Sequence, residues 1–340
     1  MSRSKNKTHN NSIDIFRLLC AVMVVAIHTA PFSDISGLLG DLCTNILPRI
    51  AVPYFFATAG YFYISALEQG KAPALPYLKR ILTTYLLWSI PYWLISFGSW
   101  GYQSPVSFVL DCVYAFFING SSYHFWFFPA LMTAACLVSC FYRSRCRRLL
   151  LPVSLLFYAL GCFGTAYDQI ALRIPLLGQL ILSPHFLVIR RYFLMGFPFF
   201  ASGLLVRHLA DRKPSDGALW ISVCACAVLW FAEIVAIRSF GTGSDIVITY
   251  GLYPLVVSVM LLLLRHPLPE YTQTAAICRS GANFMYYAHP LFITVLNAAA
   301  GLMSVRIPET LLFLLVITLT GSISLWIHHA GIPILKKLIQ

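Results

Sequence analysis

Charge is what this sequence has least of. Only 11% of its 340 residues are Asp, Glu, Lys or Arg, about half the share of an ordinary soluble domain. No long polar block separates one apolar stretch from the next. Such a chain cannot clothe itself in polar surface, so a soluble globular fold is excluded, and the length reads as one membrane domain over residues 1–340 instead of two soluble ones. Acidic residues are scarcer still, 12 against 24 Lys and Arg. The basic residues nevertheless fall between apolar segments and not on one face, which excludes nucleic acid as a partner. The CxxC spacing is missing, and the ten cysteines lie mostly inside apolar stretches. No metal is expected, and inert thiols are the ordinary reading, with Cys43, Cys112 and Cys162 placed where the outer side leaves a disulfide chemically open. Internal repeats and low-complexity segments are absent too.

What the sequence does have is apolar runs, 59% of it being hydrophobic. Crossing a hydrocarbon core takes about 20 apolar residues in a helix. Runs of that kind fall near 13–32, 45–66, 78–99, 122–141, 149–167, 187–208, 217–237, 246–265, 283–302 and 310–329. The expected fold is therefore an all-α integral membrane bundle of about ten transmembrane helices in the lipid bilayer. The first run is no cleavable leader, because Asp14, Arg17 and His28 interrupt it and no small-x-small pattern follows. Residues 1–12 read as a flexible cytoplasmic end, with Ser12 or Asp14 capping the first helix. The stretch 104–119 is apolar but short and carries Asp111, so it reads as a re-entrant or surface helix.

The basic residues set orientation. Placing Arg3, Lys5 and Lys7 in the cytoplasm puts Lys71, Lys79, Arg80, Arg143, Arg145, Arg147, Arg148, Arg207, Arg212, Lys213, Arg265, Arg279, Lys336 and Lys337 there as well. Only Arg49, Arg173, Arg190, Arg191, Arg238 and Arg306 of the 24 then face outward. This bias predicts that both termini are cytoplasmic.

Ionisable groups within apolar spans cost several kcal/mol unless paired or wetted, so each is a candidate for function. Arg17 and His28 are 11 residues apart, which returns to within about 20° of one helix face with about 16 Å between them. Asp14 lies one turn before Arg17 and can pair with it, which would make the pair structural and leave His28 bonded to a carbonyl. His289 precedes Pro290 in MYYAHPLF, and the proline removes a backbone donor and frees a carbonyl in the preceding turn. That break suits a polar cavity as well as it suits a kinked helix with a satisfied histidine.

The remaining candidates have strong structural readings. Glu233 is the most deeply placed carboxylate, and Arg238 one turn later can neutralise it. Arg49, Arg190 and Arg191 open spans from the outer side and can hold a carboxylate or phosphate, or snorkel to headgroups. His124 in SSYHFWFFPAL sits in an aromatic belt. Thr58, Ala59 and Gly60 favour close helix packing. The run Arg143 to Arg148 reads as a cytoplasmic stop signal.

Together the motifs RLLCAVMVVAIH, from Arg17 to His28, VPYFFATAGYF, YLKR, HFWFFPAL and YYAHPLF resemble the acyltransferase-3 family of membrane proteins. Three of these segments, in their longer forms IDIFRLLCAVMVVAIH, IAVPYFFATAGYF and YHFWFFPAL, look closest to the membrane part of the membrane-bound serine racemases of vancomycin-type resistance. The family resemblance implies transfer of an acyl group from a cytoplasmic acyl-CoA-like donor to an extracytoplasmic acceptor, with Arg17 and His28 as the matched residues. The closer resemblance implies binding and translocation of L-serine for a cytoplasmic racemase domain, expected after residue 340 and absent from these residues. Pyridoxal phosphate would belong to that domain, and no cofactor is expected in this one. Substrate contacts would then draw on Arg17, His28, Arg49, His124, Arg190, Arg191, Glu233 and His289. Serine delivery is the reading this resemblance favours, because a cytoplasmic racemase needs its amino acid supplied. It also implies the bacterial cell membrane as location.

Overall fold

The structure is a computed structural model describing residues 11–97, 104–144, 146–268, 272–332 and 338. Among these residues the regular elements are all helical. The principal helices are α1 (Asn11–Thr29), α2 (Ala51–Glu68), α3 (Ala74–Phe97), α4 (Pro105–Tyr114), α5 (Phe127–Arg143), α6 (Leu150–Phe163), α7 (Phe197–Asp211), α8 (Asp216–Phe240), α9 (Leu252–Arg265), α10 (Thr272–Leu302) and α11 (Glu309–Ala330). Each of the ten expected apolar runs overlaps one of these helices, and α4 falls within the short stretch 104–119. Five helical stretches are long and apolar enough to cross a membrane: Asn11–Thr29, Gly37–Glu68, Phe186–Asp211, Asp216–Phe240 and Glu309–Ala330.

Local chemistry explains several boundaries. Ser215 caps α8, its hydroxyl accepting from the Ala218 N–H at 3.3 Å, while Gly241 in the left-handed conformation ends the helix. Ser104 caps α4, with Pro105 at its first position. The flexible reading of residues 11 and 12 is corrected. Asn11 and Ser12 are buried in the first turn of α1. The Ser12 hydroxyl donates to the His266 carbonyl at 2.5 Å and accepts from the Leu268 N–H at 3.0 Å. Those bonds leave Ser12 engaged with another segment instead of capping its own helix. Residues 1–10, with Arg3, Lys5 and Lys7, lie outside the described residues, as do Arg145, Lys336 and Lys337.

The chain divides into two compact units, residues 1–51 with 259–340, and residues 52–258. In the first, Asp14 bonds Arg279 near the starts of α1 and α10, and His28 meets His289 further along both. These two helices therefore run parallel. Helix α11 runs against them: Thr310 at its start bonds the Phe32 N–H at 2.8 Å, just past the end of α1, while Ser324 near its end approaches Gly281 of α10.

In the second unit α2 lies parallel to α5 and α7. Phe56 and Phe127 rings meet at 4.6 Å and the Tyr63 and Ser139 hydroxyls at 2.6 Å. Gly60 lies so close to α7 that a Cβ there would overlap the Phe200 carbonyl, and one on Gly203 would overlap the Tyr61 backbone. Gly60 thus allows the close approach expected of this segment. Helices α8 and α9 are antiparallel, Ser222 meeting Ser258 at 2.8 Å and Glu233 meeting Gly251 at 2.6 Å. An aromatic core centres on the fully buried Tyr85, stacked between Phe116 at 4.1 Å and Phe128 at 5.0 Å. Its hydroxyl donates to the Phe116 carbonyl and accepts from the Ser121 N–H, both at 2.8 Å, which fastens the segment after α4 beneath α3.

Candidate functional site

In the first unit, α1 carries both Arg17 and His28, and its unbroken run from Asn11 to Thr29 keeps them on one face. The His28 ring stacks on the His289 ring with centroids 5.2 Å apart and planes at 23°. The two histidines therefore share one location. His289 is fully buried, and its Nδ1 lies 3.0 Å from both the Met285 and Tyr286 carbonyls. His28 is half-buried.

The expected pairing of Asp14 with Arg17 gives way to a different one. Asp14, 4% exposed, accepts from Arg279 Nε at 3.1 Å and Nη2 at 3.0 Å in a two-point contact. A guanidinium fork that meets a carboxylate edge outcompetes a neighbour three residues along the same helix. Among the described residues Arg17 has no carboxylate partner and is half-buried. Arg49 also belongs to this unit, in the short 3₁₀ turn Leu47–Ile50, and its Nε donates to the Asn45 carbonyl at 2.9 Å.

His124, Arg190, Arg191 and Glu233 lie in the second unit. His124 is 3% exposed and packs among Tyr92 at 5.3 Å, Tyr123 at 5.4 Å and Phe125 at 4.0 Å. This is an enclosed aromatic setting. Arg190 pairs with Asp245 at 3.4 Å, and the Arg191 guanidinium lies 5.1 Å from the Trp126 ring centroid, a cation–π contact. Both arginines open a π-helical run, Arg190–Gly196. For Glu233 the partner is not Arg238. Its carboxylate accepts from the Tyr167 hydroxyl at 2.8 Å and from the backbone N–H groups of Tyr250 at 2.8 Å and Gly251 at 2.6 Å. Those N–H groups precede α9 and have no helical acceptor of their own, so the carboxylate serves as their cap.

The acyltransferase domain family matches residues 10–329. The chain belongs to this family. It is a multi-pass membrane protein, as the apolar helices require. It is 25% identical over 355 aligned positions to a serine/alanine racemase of Enterococcus gallinarum, covering 97% of this chain and 49% of that protein. An amino-acid racemase of Enterococcus faecalis is 34% identical over 179 residues, covering 51% of this chain and 25% of the relative. A second from the same organism is 27% identical over 164 residues, covering 48% and 23%. The chain thus spans from about a quarter to about half of the curated relatives it matches. No solved structure matches it.

Within this member of the acyltransferase domain family, the half-buried His28 can exchange a proton with a hydroxyl or amine, and Arg17 on the same helix can hold an anionic group. Among the described residues no group of three or more His, Cys, Asp or Glu gathers as a metal site would need, and the ten cysteines are free thiols. Reasoning from sequence passes over Glu68. At the end of α2 it pairs with Arg207 of α7 and with Arg147, and accepts from the Tyr142 hydroxyl at 3.4 Å. Arg147 also lies over the Tyr142 ring at 5.3 Å. Glu68 sits at the margin of its apolar run, and its partners are distant in the chain, so spacing carries no signal for this clamp.

Proposed function

We propose that this chain is a membrane acyltransferase in which His28 is the general base and Arg17 supplies positive charge. The observation that carries the reading is the stacked His28 and His289 pair, on a helix whose Arg17 shares no carboxylate among the described residues. In the reaction, His28 takes the proton of an acceptor hydroxyl as its oxygen bonds to the thioester carbonyl carbon of an acyl-CoA-like donor. The carbon–sulfur bond then breaks, and the thiolate leaves and takes up a proton. A positioned base of this kind is worth about 10² to 10⁴-fold. Arg17 suits the phosphate or carboxylate of a donor or acceptor.

The membrane arrangement that fits is ten spans in the bacterial cell membrane with both termini cytoplasmic. The distribution of Lys and Arg supports it, and so do the parallel course of α1 and α10 and the reversed course of α11. Arg17 then lies towards the cytoplasmic side and His28 towards the outer side.

A second reading is favoured by one observation: a relative aligned along 97% of this chain is a serine/alanine racemase. On that reading the domain binds L-serine and carries it to a cytoplasmic racemase. It places the amino acid's carboxylate on an outer arginine and its ammonium on Glu233. Arg190 is however engaged by Asp245, and the Glu233 carboxylate already takes three donors. Those engagements favour acyl transfer. Proteoliposomes separate the two. Acyl-CoA consumption without flux of labelled L-serine supports the first reading, and serine flux without acyl-CoA supports the second.

A further inference from the structure

We propose that His289 is a positioning residue for His28, locked in one tautomer by a backbone carbonyl that Pro290 sets free. Its catalytic consequence rests on the acyl-transfer reading, whereas the lock itself does not. In a regular helix the carbonyl of residue 286 receives the N–H of residue 290, and a proline there has none to give. The His289 ring fills that position: its Nδ1 lies 3.0 Å from the Tyr286 carbonyl as well as 3.0 Å from that of Met285. Carbonyl oxygens only accept, so Nδ1 carries the hydrogen, and in the neutral ring Nε2 bears the lone pair.

The dipeptide His289–Pro290 is thus one device. The proline creates an acceptor within α10, and the histidine before it satisfies that acceptor with its side chain. The result is a ring whose plane is fixed by the backbone in a fully buried position. Against that plane His28 stacks at 5.2 Å and 23°. A base that must meet a hydroxyl within hydrogen-bond reach gains from a fixed ring plane, since displacements of about 1 Å can cost about 10²-fold in rate. Helix α1 sets the Cα of His28, and the face of His289 limits the rotation of its ring.

The test uses the full chain in lipid nanodiscs with ¹⁵N-labelled histidine, the His289 signal being assigned by its loss in His289→Gln. The expected result is a His289 protonated at Nδ1 in the wild type. In Pro290→Ala the restored N–H competes for the Tyr286 carbonyl and the single tautomer gives way to a mixture. Alanine is a good helix former, so this variant keeps the fold. In the same preparations Pro290→Ala and His289→Gln lower kcat for acyl transfer by roughly 10²-fold with KM nearly unchanged. A wild-type His289 protonated at Nε2, or a Pro290→Ala protein with an unaltered tautomer, overturns the lock. Wild-type kcat in both variants overturns the positioning role. A wild type that transfers no acyl group fails the proposed function instead, and the tautomer measurement then decides the lock by itself.

Discussion

Arg279 holds Asp14 through two nitrogens, at 3.1 and 3.0 Å, from 265 residues away in the chain. That contact ties the start of α10 to the start of α1, and it takes the carboxylate that Arg17, one turn along, would otherwise share.

The first prediction follows from this pair. Asp14→Asn removes the acceptor charge from a part-buried guanidinium and should cost about 1.5–3 kcal/mol. Arg17→Gln breaks no carboxylate pair among the described residues and should cost less than Asp14→Asn. Thermal unfolding of the purified protein, followed by Trp fluorescence, would rank the two. Equal losses would mean that Asp14 serves Arg17 after all.

Close packing makes the second. A methyl group on Gly60 or Gly203 overlaps backbone of the facing helix, and overpacking of this sort costs about 1–3 kcal/mol. Gly217 has nothing within 4 Å of a built Cβ, so Gly217→Ala should be neutral or mildly stabilising. A Gly60→Ala protein with the unfolding temperature of Gly217→Ala would contradict the close α2 and α7 contact.

Much of this architecture was legible in the sequence and part of the site was not. Ten apolar runs mark helices because a lipid-facing backbone must satisfy itself within each segment, and a run such as 217–237 carries that signal without help from its neighbours. Partner choice is another matter. Local reasoning assigns Asp14 to Arg17 and Glu233 to Arg238, since helical spacing is all that a sequence displays. The actual partners, Arg279 for Asp14 and the N–H groups before α9 for Glu233, depend on which helices meet. The approach of His28 and His289 lay between these cases. Pro290 announced a broken helix beside a histidine and suggested a cavity shared with His28, yet spacing alone does not show that the two rings stack.

The third prediction concerns pH. Asp34, in the exposed segment after α1, accepts from the Thr310 hydroxyl and from the Thr310 N–H at 3.2 Å, and these bonds hold its carboxyl below the usual carboxylate range. A folded-state pKa that is depressed contributes stability above the unfolded value and loses it as pH falls through the folded one. Thr310→Val should therefore be less stable than wild type near neutrality, and the gap should narrow as pH falls below the ordinary Asp range. Unfolding midpoints across an acid series would show it, and a gap constant with pH would rule it out.

Orientation supplies the fourth. With the other cysteines replaced, Cys146 alone should react with a membrane-impermeant maleimide only after the cells are opened. His185→Cys in a cysteine-free background should react on intact cells. Both sites are exposed, so the reverse pattern would invert the assignment drawn from the basic residues.

The central claim is that His28 is the base in acyl transfer. The most direct measurement is single-turnover acyl transfer by wild type and His28→Gln in proteoliposomes, at saturating acyl-CoA and over a series of hydroxyl acceptors. The account predicts a loss of about 10² to 10⁴-fold in the rate of the chemical step, with acyl-CoA still bound. A His28→Gln protein that transfers the acyl group at the wild-type rate would contradict it.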